Sequence, residues 1–533
     1  MCLEMEENMN TFEKAMRQMT NLTVTENGAY AHRTTYESLL DCNYGVSAAR
    51  WNTDDLLEKW KEAYNSNGIT AMCWLFYLRD CRGGLGERRS FRCLFTEFVN
   101  KNPELAVAFI PLVPVYGRWD DLVYTFMKCD QEHMKTEISE YLKNRLVYDL
   151  NMVNDPTFNM LSSNVSLCAK WMPSENASSA ETKEAARALR KAFKWTPRQY
   201  RKSLSSLRKY LNVVECNISS KNYSDINYGE VPSKASMNYS SAFGRNDPER
   251  YAEYIQKCLD GNGKINVSGI NPYEVVRRAA SDPDSMFYNL MWESLLEKGF
   301  PDSDRFGKAL CVIDTSGSME NTVPSTSVSY LDMAISLGLY FSSKMKGVFE
   351  DKMITFSHDP SWIDVGRCKT LSEKYDYIRR SSWQMNTDIV KVFDLILNAA
   401  LDDSVKPEDM PDTLLIVSDM QFDSCIEYIR EIPFHDLPGN CITRTVTLFD
   451  NISSFWHEHG YKLPKLVFWN VGGSGTTIPM IECGDNGVAL ISGFSQNAAK
   501  VADTDQKDPL LALLEVLNGD RYKAVVDVCQ SII

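Results

Sequence analysis

Five oxygen-bearing residues stand where one cation could gather them. Asp314-Thr-Ser-Gly-Ser318 follows directly on the apolar run Lys308-Ala-Leu-Cys-Val-Ile313, so Asp314, Ser316 and Ser318 fall at alternate positions of a tight, glycine-containing turn. Thr387, in Met385-Asn-Thr-Asp388, and Asp419, just past Leu414-Leu-Ile-Val417, stand at further strand ends. Two carboxylates with neutral hydroxyls suit one hard, octahedral divalent cation, Mg²⁺ first, with Mn²⁺ or Ca²⁺ as substitutes. So few protein ligands leave a coordination position open, which an acidic group of a protein partner would complete. The pentapeptide alone is as readily a plain turn; the two outlying donors make it a candidate site.

A second pattern is basic. Residues 187–209 hold nine Lys and Arg side chains and no acidic one: Arg187, Arg190, Lys191, Lys194, Arg198, Arg201, Lys202, Arg208 and Lys209. Trp195 and Tyr200 are interleaved with them and Tyr210 is adjacent. Cations for phosphates and rings for bases compose a single-strand RNA surface. Helical spacing puts Arg187, Arg190, Lys191 and Lys194 on one face, and Arg198, Arg201 and Lys202 line up similarly after Pro197. The competing reading is a solvated helix face whose aromatic residues belong to the core. Arg79-Asp-Cys-Arg-Gly-Gly-Leu-Gly-Glu-Arg-Arg89 offers backbone N–H groups and cations to an anion. It lacks the Lys-Ser/Thr of a P-loop, and a glycine-capped turn between helices accounts for it better. No H-E-x-x-H, G-x-S-x-G, Walker sequence or post-strand G-x-G-x-x-G occurs, so a binding protein rather than an enzyme is expected.

These residues need two kinds of scaffold. Residues 1–300 show apolar positions at helical spacing near 52–65, 70–80, 87–101, 104–113, 118–127, 134–148, 180–194, 198–210 and 248–259, separated by Gly, Pro, Asn or Asp. This predicts an all-α array of helical hairpins without a fixed repeat. The Ser-, Asn- and Tyr-rich stretch 217–247 reads as a long ordered loop. Beyond Asp304 short apolar runs at 308–313, 352–356, 413–417, 445–448, 466–469 and 488–491 alternate with helical stretches at 328–345, 389–400 and 508–518. Continuous apolar strands predict a mostly parallel, Rossmann-like α/β sheet covered on both faces, with ligands at the carboxyl ends of its strands. The expected domains are therefore 1–300 and 301–533.

Composition narrows the setting. The chain has 533 residues and a net charge of −14. Residues 301–533 carry 33 acidic and 20 basic side chains, so nearly all of that excess lies in the second half. The 15 cysteines include no C-x-x-C pair, which argues for a reducing, cytoplasmic setting. No long apolar run predicts a membrane span, and the acidic start does not read as a secretory signal.

The set Asp314, Ser316, Ser318, Thr387 and Asp419 resembles the metal-ion-dependent adhesion site of von Willebrand factor type A domains. That resemblance implies direct ligation by the first three, with Thr387 and Asp419 direct or through water. A helical array followed by such a domain is similar in layout to the Ro autoantigen, whose TROVE module is a helical ring that binds RNA. A nearer resemblance is to a family of uncharacterised proteins of the same two-part layout. It is carried by Thr25-Glu-Asn-Gly28, Gly84-Leu-Gly-Glu87, Tyr116-Gly-Arg-Trp-Asp120, Ser166-Leu-Cys-Ala-Lys-Trp-Met-Pro173, Tyr200-Arg-Lys202, Leu207-Arg-Lys209, Val231-Pro-Ser233 and Gly487-Val-Ala-Leu-Ile-Ser-Gly493. The resemblance implies a ribonucleoprotein role, with a metal-dependent protein adaptor as the alternative.

Overall fold

Among the described residues ten strands, numbered along the chain, organise the α/β part. A hairpin of β1 (Leu22–Val24) and β2 (Tyr30–His32) precedes β3 (Ala309–Asp314), β4 (Lys352–Phe356), β5 (Ser361–Asp364) and β6 (Thr413–Ser418). A second hairpin, β7 (Arg430–Pro433) and β8 (Cys441–Arg444), precedes β9 (Lys465–Asn470) and β10 (Val488–Ser492). The computed structural model describes residues 20–154, 165–299, 308–324, 326–345, 347–356, 360–381, 388–422, 430–433, 441–444, 448–472, 477–480 and 487–532, apart from the side chains of Tyr30, of Phe356 and of 430–451.

Six strands form one sheet in the order β10-β9-β6-β3-β4-β5. All neighbours run parallel except the edge strand β5, which is antiparallel to β4. Every residue of β3, β6 and β10 is buried, which is why these strands read as unbroken apolar runs. From β3 the chain builds outward to β4 on one side and to β6 on the other, so strand order reverses between β3 and β6. In open α/β sheets ligands bind at such a reversal, at the carboxyl ends of the strands.

Helices complete the unit. Tyr330–Ser342 is buried along its whole length. Its Gly338 lets the helix lie close on β3, since a Cβ there would stand 2.8 Å from Ile313 Cγ2. N-terminal residues also belong to this unit: Asn43 Nδ2 donates to the Leu490 carbonyl at 3.4 Å, Ser47 Oγ to the Asn470 carbonyl at 2.8 Å, and Trp51 Nε1 to Tyr330 Oη at 2.7 Å. The helices Pro272–Ser281 and Met286–Lys298 pack on Tyr330–Ser342 or on Leu371–Arg380.

The compact units are accordingly residues 1–68 with 270–517, and residues 69–269 with 518–533. A single boundary between 300 and 301 does not coincide with this division. The reason is packing: apolar faces on both sides of that position are buried together.

The second unit is helical. Gly68–Arg79 buries nine consecutive side chains from Ala71 to Arg79. It packs through Phe76 against Phe91, Phe95, Phe109 and Tyr116, with ring centroids 5.3–6.3 Å apart. Two charge clusters lie inside. Asp121 accepts from Arg79 Nε and from Arg92 Nε, both at 2.7 Å. Asp80 accepts from Arg521 Nη2 at 2.6 Å and from Tyr522 Oη at 3.1 Å, tying residues 518–533 to the start of the unit.

One expectation is corrected. The stretch 217–247 is no loop: Val214–Ser219 and Ser233–Asn246 are helical. The buried face of the latter is Ser233, Ala235, Ser236, Met237, Ser240 and Phe243, helically spaced but mostly small, so a search for apolar periodicity misses it. Of the strand expected at 445–448, only Leu448 is among the described residues. Leu448 opens the helix Leu448–Glu458, strand β8 ends at Arg444, and 445–447 lie outside the described residues.

Candidate cation site and basic face

Asp314 is the last residue of β3 and Asp419 follows the last residue of β6, so the parallel pairing of these strands brings the two carboxylates to one edge. Asp314 is fully buried and Asp419 is 3% exposed. The turn after β3 folds back on its own carboxylate, with Ser316 N donating to Asp314 Oδ1 at 2.8 Å. The Ser316 and Ser318 hydroxyl oxygens lie 3.1 Å apart. Ser318 also hydrogen-bonds the Asp419 carboxylate, and Gln421 N donates to Asp419 Oδ1 at 3.2 Å. Asp314, Ser316, Ser318 and Asp419 are thus brought together. Thr387 lies outside the described residues.

The electrostatics are those of two like charges held in a dry place. Burial, and then the charge of Asp419, push the Asp314 carboxyl well above the usual carboxylate range. Burial is also the main cause of the upward displacement at Asp419. Among the described residues no group of three or more His, Cys, Asp and Glu side chains stands together. The donors on offer are therefore paired carboxylates with hydroxyls. That set fits a hard divalent cation, whose charge would relieve the repulsion that burial imposes on the pair.

Sequence reading missed the polar residues that close the neighbouring strands. Ser418 Oγ donates to Asp314 Oδ2 at 2.6 Å. Asn470, paired with Ser418 across β6 and β9, is fully buried, and its Nδ2 has no hydrogen-bond partner among the described residues. Ser492 Oγ, at the end of β10, accepts from Ser47 N at 2.9 Å. One polar residue terminating each apolar run is the signal that would have found them.

The basic residues divide by environment. Arg187, Lys191, Lys194, Arg198, Arg201, Lys202 and Lys209 are exposed, and among the described residues no ion pair engages them. On the helix Pro197–Tyr210, Arg198, Arg201, Lys202 and Lys209 follow one face while Tyr200, Leu204 and Leu207 are buried on the other. Two candidates for RNA contact are corrected. Tyr200 is fully buried and its hydroxyl donates to the Pro173 carbonyl at 2.8 Å, so its ring has no face left for a base. Arg208 is spent on the chain itself, donating to the carbonyls of Ala169 and Met172 at 2.9 and 2.6 Å and to Ser174 Oγ at 2.8 Å. Trp195 is partly buried, its ring 5.3 Å from Phe193 and 6.4 Å from Tyr200. Arg190 pairs with Glu175 at 2.7 Å.

The glycine loop at Arg79–Arg89 is filled from within. A Cβ on Gly83 would stand 2.4 Å from Arg521 Nε, and one on Gly84 2.2 Å from the Tyr77 carbonyl oxygen. Trp171, at the corner before Pro173, lies under the Arg118 guanidinium, 4.1 Å from the ring centroid.

Two family models match the chain, each described as a domain of unknown function: DUF2828 over residues 120–300 and DUF7788 over residues 308–508. The chain is similar to the uncharacterized protein L728 of Acanthamoeba polyphaga mimivirus, at 30% identity across 94% of this chain and 88% of that one. Among solved structures it is similar to the RO (RSR) protein of Deinococcus radiodurans, with a TM-score of 0.33 and 12% identity, covering 80% of this chain and 93% of that one. A likeness at that level carries no argument about function.

Proposed function

The chain belongs to the same family as the mimiviral protein L728, and we propose that it is an RNA-binding protein whose α/β unit is a von Willebrand factor type A domain holding one divalent cation. The observation that supports the cation site is the burial of Asp314 and Asp419 at the switch point of the sheet, with the Ser316 and Ser318 hydroxyls beside them. The mostly parallel sheet, with its strand order reversing between β3 and β6, puts these residues where α/β sheets bind ligands. Asp314, Ser316 and Ser318 would ligate Mg²⁺, with Asp419 and Thr387 direct or through water. The bound cation would supply a fixed positive charge at the strand ends. The role is binding rather than catalysis.

RNA would lie on the exposed face of Arg187, Lys191, Lys194, Arg198, Arg201, Lys202 and Lys209. Cations engaged in no ion pair among the described residues are open to phosphate and release its counterions on binding. Replacing Arg201, Lys202 and Lys209 with Glu should abolish binding of a single-stranded RNA in filter-binding titrations and leave cation affinity unchanged. Each single Ala substitution should lower the salt slope by about one. If the wild-type chain fails to bind RNA at low salt, the RNA reading is wrong and an adaptor role remains. For the cation, Asp314→Ala should remove the heat of Mg²⁺ or Mn²⁺ binding in a calorimetric titration while the circular dichroism spectrum is kept. Undiminished binding in that variant would sink the assignment.

No helix among the described residues is long and apolar enough to cross a membrane.

A further inference from the structure

Three motifs without a role so far meet in the helical unit: Ser166-Leu-Cys-Ala-Lys-Trp-Met-Pro173, Leu207-Arg-Lys209 and Val231-Pro-Ser233. Beside them lies a cavity of about 140 Å³. Leu167, Val214, Ile226, Val231 and Pro232 give it apolar walls, and Lys170, Asn227 and Glu230 add polar groups to the lining. Among the described residues those three polar side chains make no hydrogen bond or ion pair. Val214, Ile226 and Val231 are buried and belong to the apolar cluster of Tyr228, Phe243 and Tyr251, which makes the floor firm. Leu167 and Pro232 are exposed and mark the mouth. The walls are braced from outside. Arg208 holds the carbonyls of Ala169 and Met172, on either side of Lys170. Arg250 Nη2 donates to the Ile226 carbonyl at 2.8 Å, and Asn266 Nδ2 to the carbonyls of Gly229 and Val231 at 3.1 and 3.0 Å. The basic helix runs straight into this lining: Leu211 follows Pro197–Tyr210, and Asn212 N donates to the Lys209 carbonyl at 3.1 Å.

We propose that this cavity receives one pyrimidine base of a single-stranded RNA whose phosphates follow the exposed face of Arg201, Lys202 and Lys209. The inference rests on the RNA reading given above. Size selects the base. An apolar cavity of about 150 Å³ admits a benzene ring, so this one takes a single six-membered ring and excludes the fused rings of a purine. Apolar walls suit the faces of an unstacked base, and unpartnered polar groups suit its edge. Lys170 donates to the O2 carbonyl that cytosine and uracil share. Glu230 accepts from the N4 amino group of cytosine, the pairing a carboxylate makes with that base, or from N3–H of uracil. Walls that are already braced need little ordering when the base enters. A carboxylate beside a phosphate track would otherwise only repel the strand.

The test titrates the full chain at low salt with homopolymeric ribo-oligonucleotides of cytidine, uridine and adenosine, equal in length, by fluorescence anisotropy. Cytidine monophosphate is the free-nucleotide probe. The pyrimidine strands should bind at least ~10-fold more tightly than the adenosine strand, the discrimination of one base-edge pairing. Leu167→Trp, which crowds the mouth, should erase that preference and leave affinity for the adenosine strand unchanged. Glu230→Ala gives the sharper sign. If Glu230 only faces solvent, losing its charge strengthens every strand; if it reads a base, cytidine binding weakens about 10-fold. Both positions are exposed, and unchanged thermal midpoints would show that the variants fold. Cytidine monophosphate should bind far more weakly than the cytidine strand, because it lacks the phosphates for Lys202 and Lys209. Equal affinity would make the cavity a free-nucleotide site and overturn the strand assignment. If the strands bind without pyrimidine preference, or both variants bind like wild type, the cavity is refuted and the basic face stands. If the wild type binds no strand, both fall together.

Discussion

Tyr200 and Arg201 are adjacent in sequence and opposed in environment. The tyrosine ring is inside, with its hydroxyl on the Pro173 carbonyl, and the guanidinium points outward. Tyr200→Phe should therefore cost about 1 kcal/mol of stability, the worth of one buried hydrogen bond, without touching RNA affinity. Tyr200→Ala should cost about 3–5 kcal/mol through the cavity it leaves. Urea denaturation beside an RNA titration separates the two kinds of effect; a loss of affinity in Tyr200→Phe at unchanged stability would return the ring to the surface. Charge spacing was legible in the sequence here, and the division of labour was not. Arg208 shares its type with its exposed neighbours, yet its acceptors lie 34–39 positions away, and no local pattern encodes them. The same holds for Asp314 and Asp419. Their positions after apolar runs were readable, but their common edge depends on β3 and β6 being neighbours.

At the scale of elements, the helices expected from 3.6-residue apolar spacing and the fully buried strands were read to within a few residues, because such patterns are strong signals, whereas Pro272–Ser281 and Met286–Lys298 were not read at all. The helix Ser233–Asn246 escaped because serines pack its inner face, and the hairpin of β1 and β2 because its strands are three residues long. Helix junctions in the second unit are held by charge. Asp121 is inaccessible and holds both Arg79, itself buried, and Arg92. Removing the carboxylate strands a buried guanidinium, so Asp121→Ala should cost about 3–5 kcal/mol. A two-state urea unfolding curve measures it, and a change below 1 kcal/mol would mean that water replaces the carboxylate freely. Gly84→Ala tests the glycine loop in the same way. A methyl group directed at the Tyr77 carbonyl should destabilise by about 1–3 kcal/mol and leave RNA affinity alone.

For the whole molecule, the division of residues matters more than the count of units. A fragment of residues 301–533 lacks Ser47 and Trp51, which hydrogen-bond β9, β10 and Tyr330, and lacks the helices at 272–298. It also carries residues 518–533, whose partner Asp80 is elsewhere. We expect that fragment to be unstable and aggregation-prone, and a fusion of residues 1–68 to 270–517 to unfold cooperatively. Thermal denaturation followed by circular dichroism compares them, and a cooperative transition in the 301–533 fragment would contradict the division.

The chain passes between units at 68/69, 269/270 and 517/518, and this interleaving sets an order on synthesis. At about 5–20 residues per second, the first 68 residues wait on the order of 20–90 s for the last of their own unit to leave the ribosome. The helical unit waits equally for Arg521 and Tyr522. Neither half can finish ahead of the other, so the nascent chain holds unsatisfied apolar surface until translation is nearly over, and chaperones have that whole interval in which to act. A ribosome stalled at residue 300 should display a chain that protease digests throughout, whereas one stalled past residue 533 by the length of the exit tunnel should display both units protected.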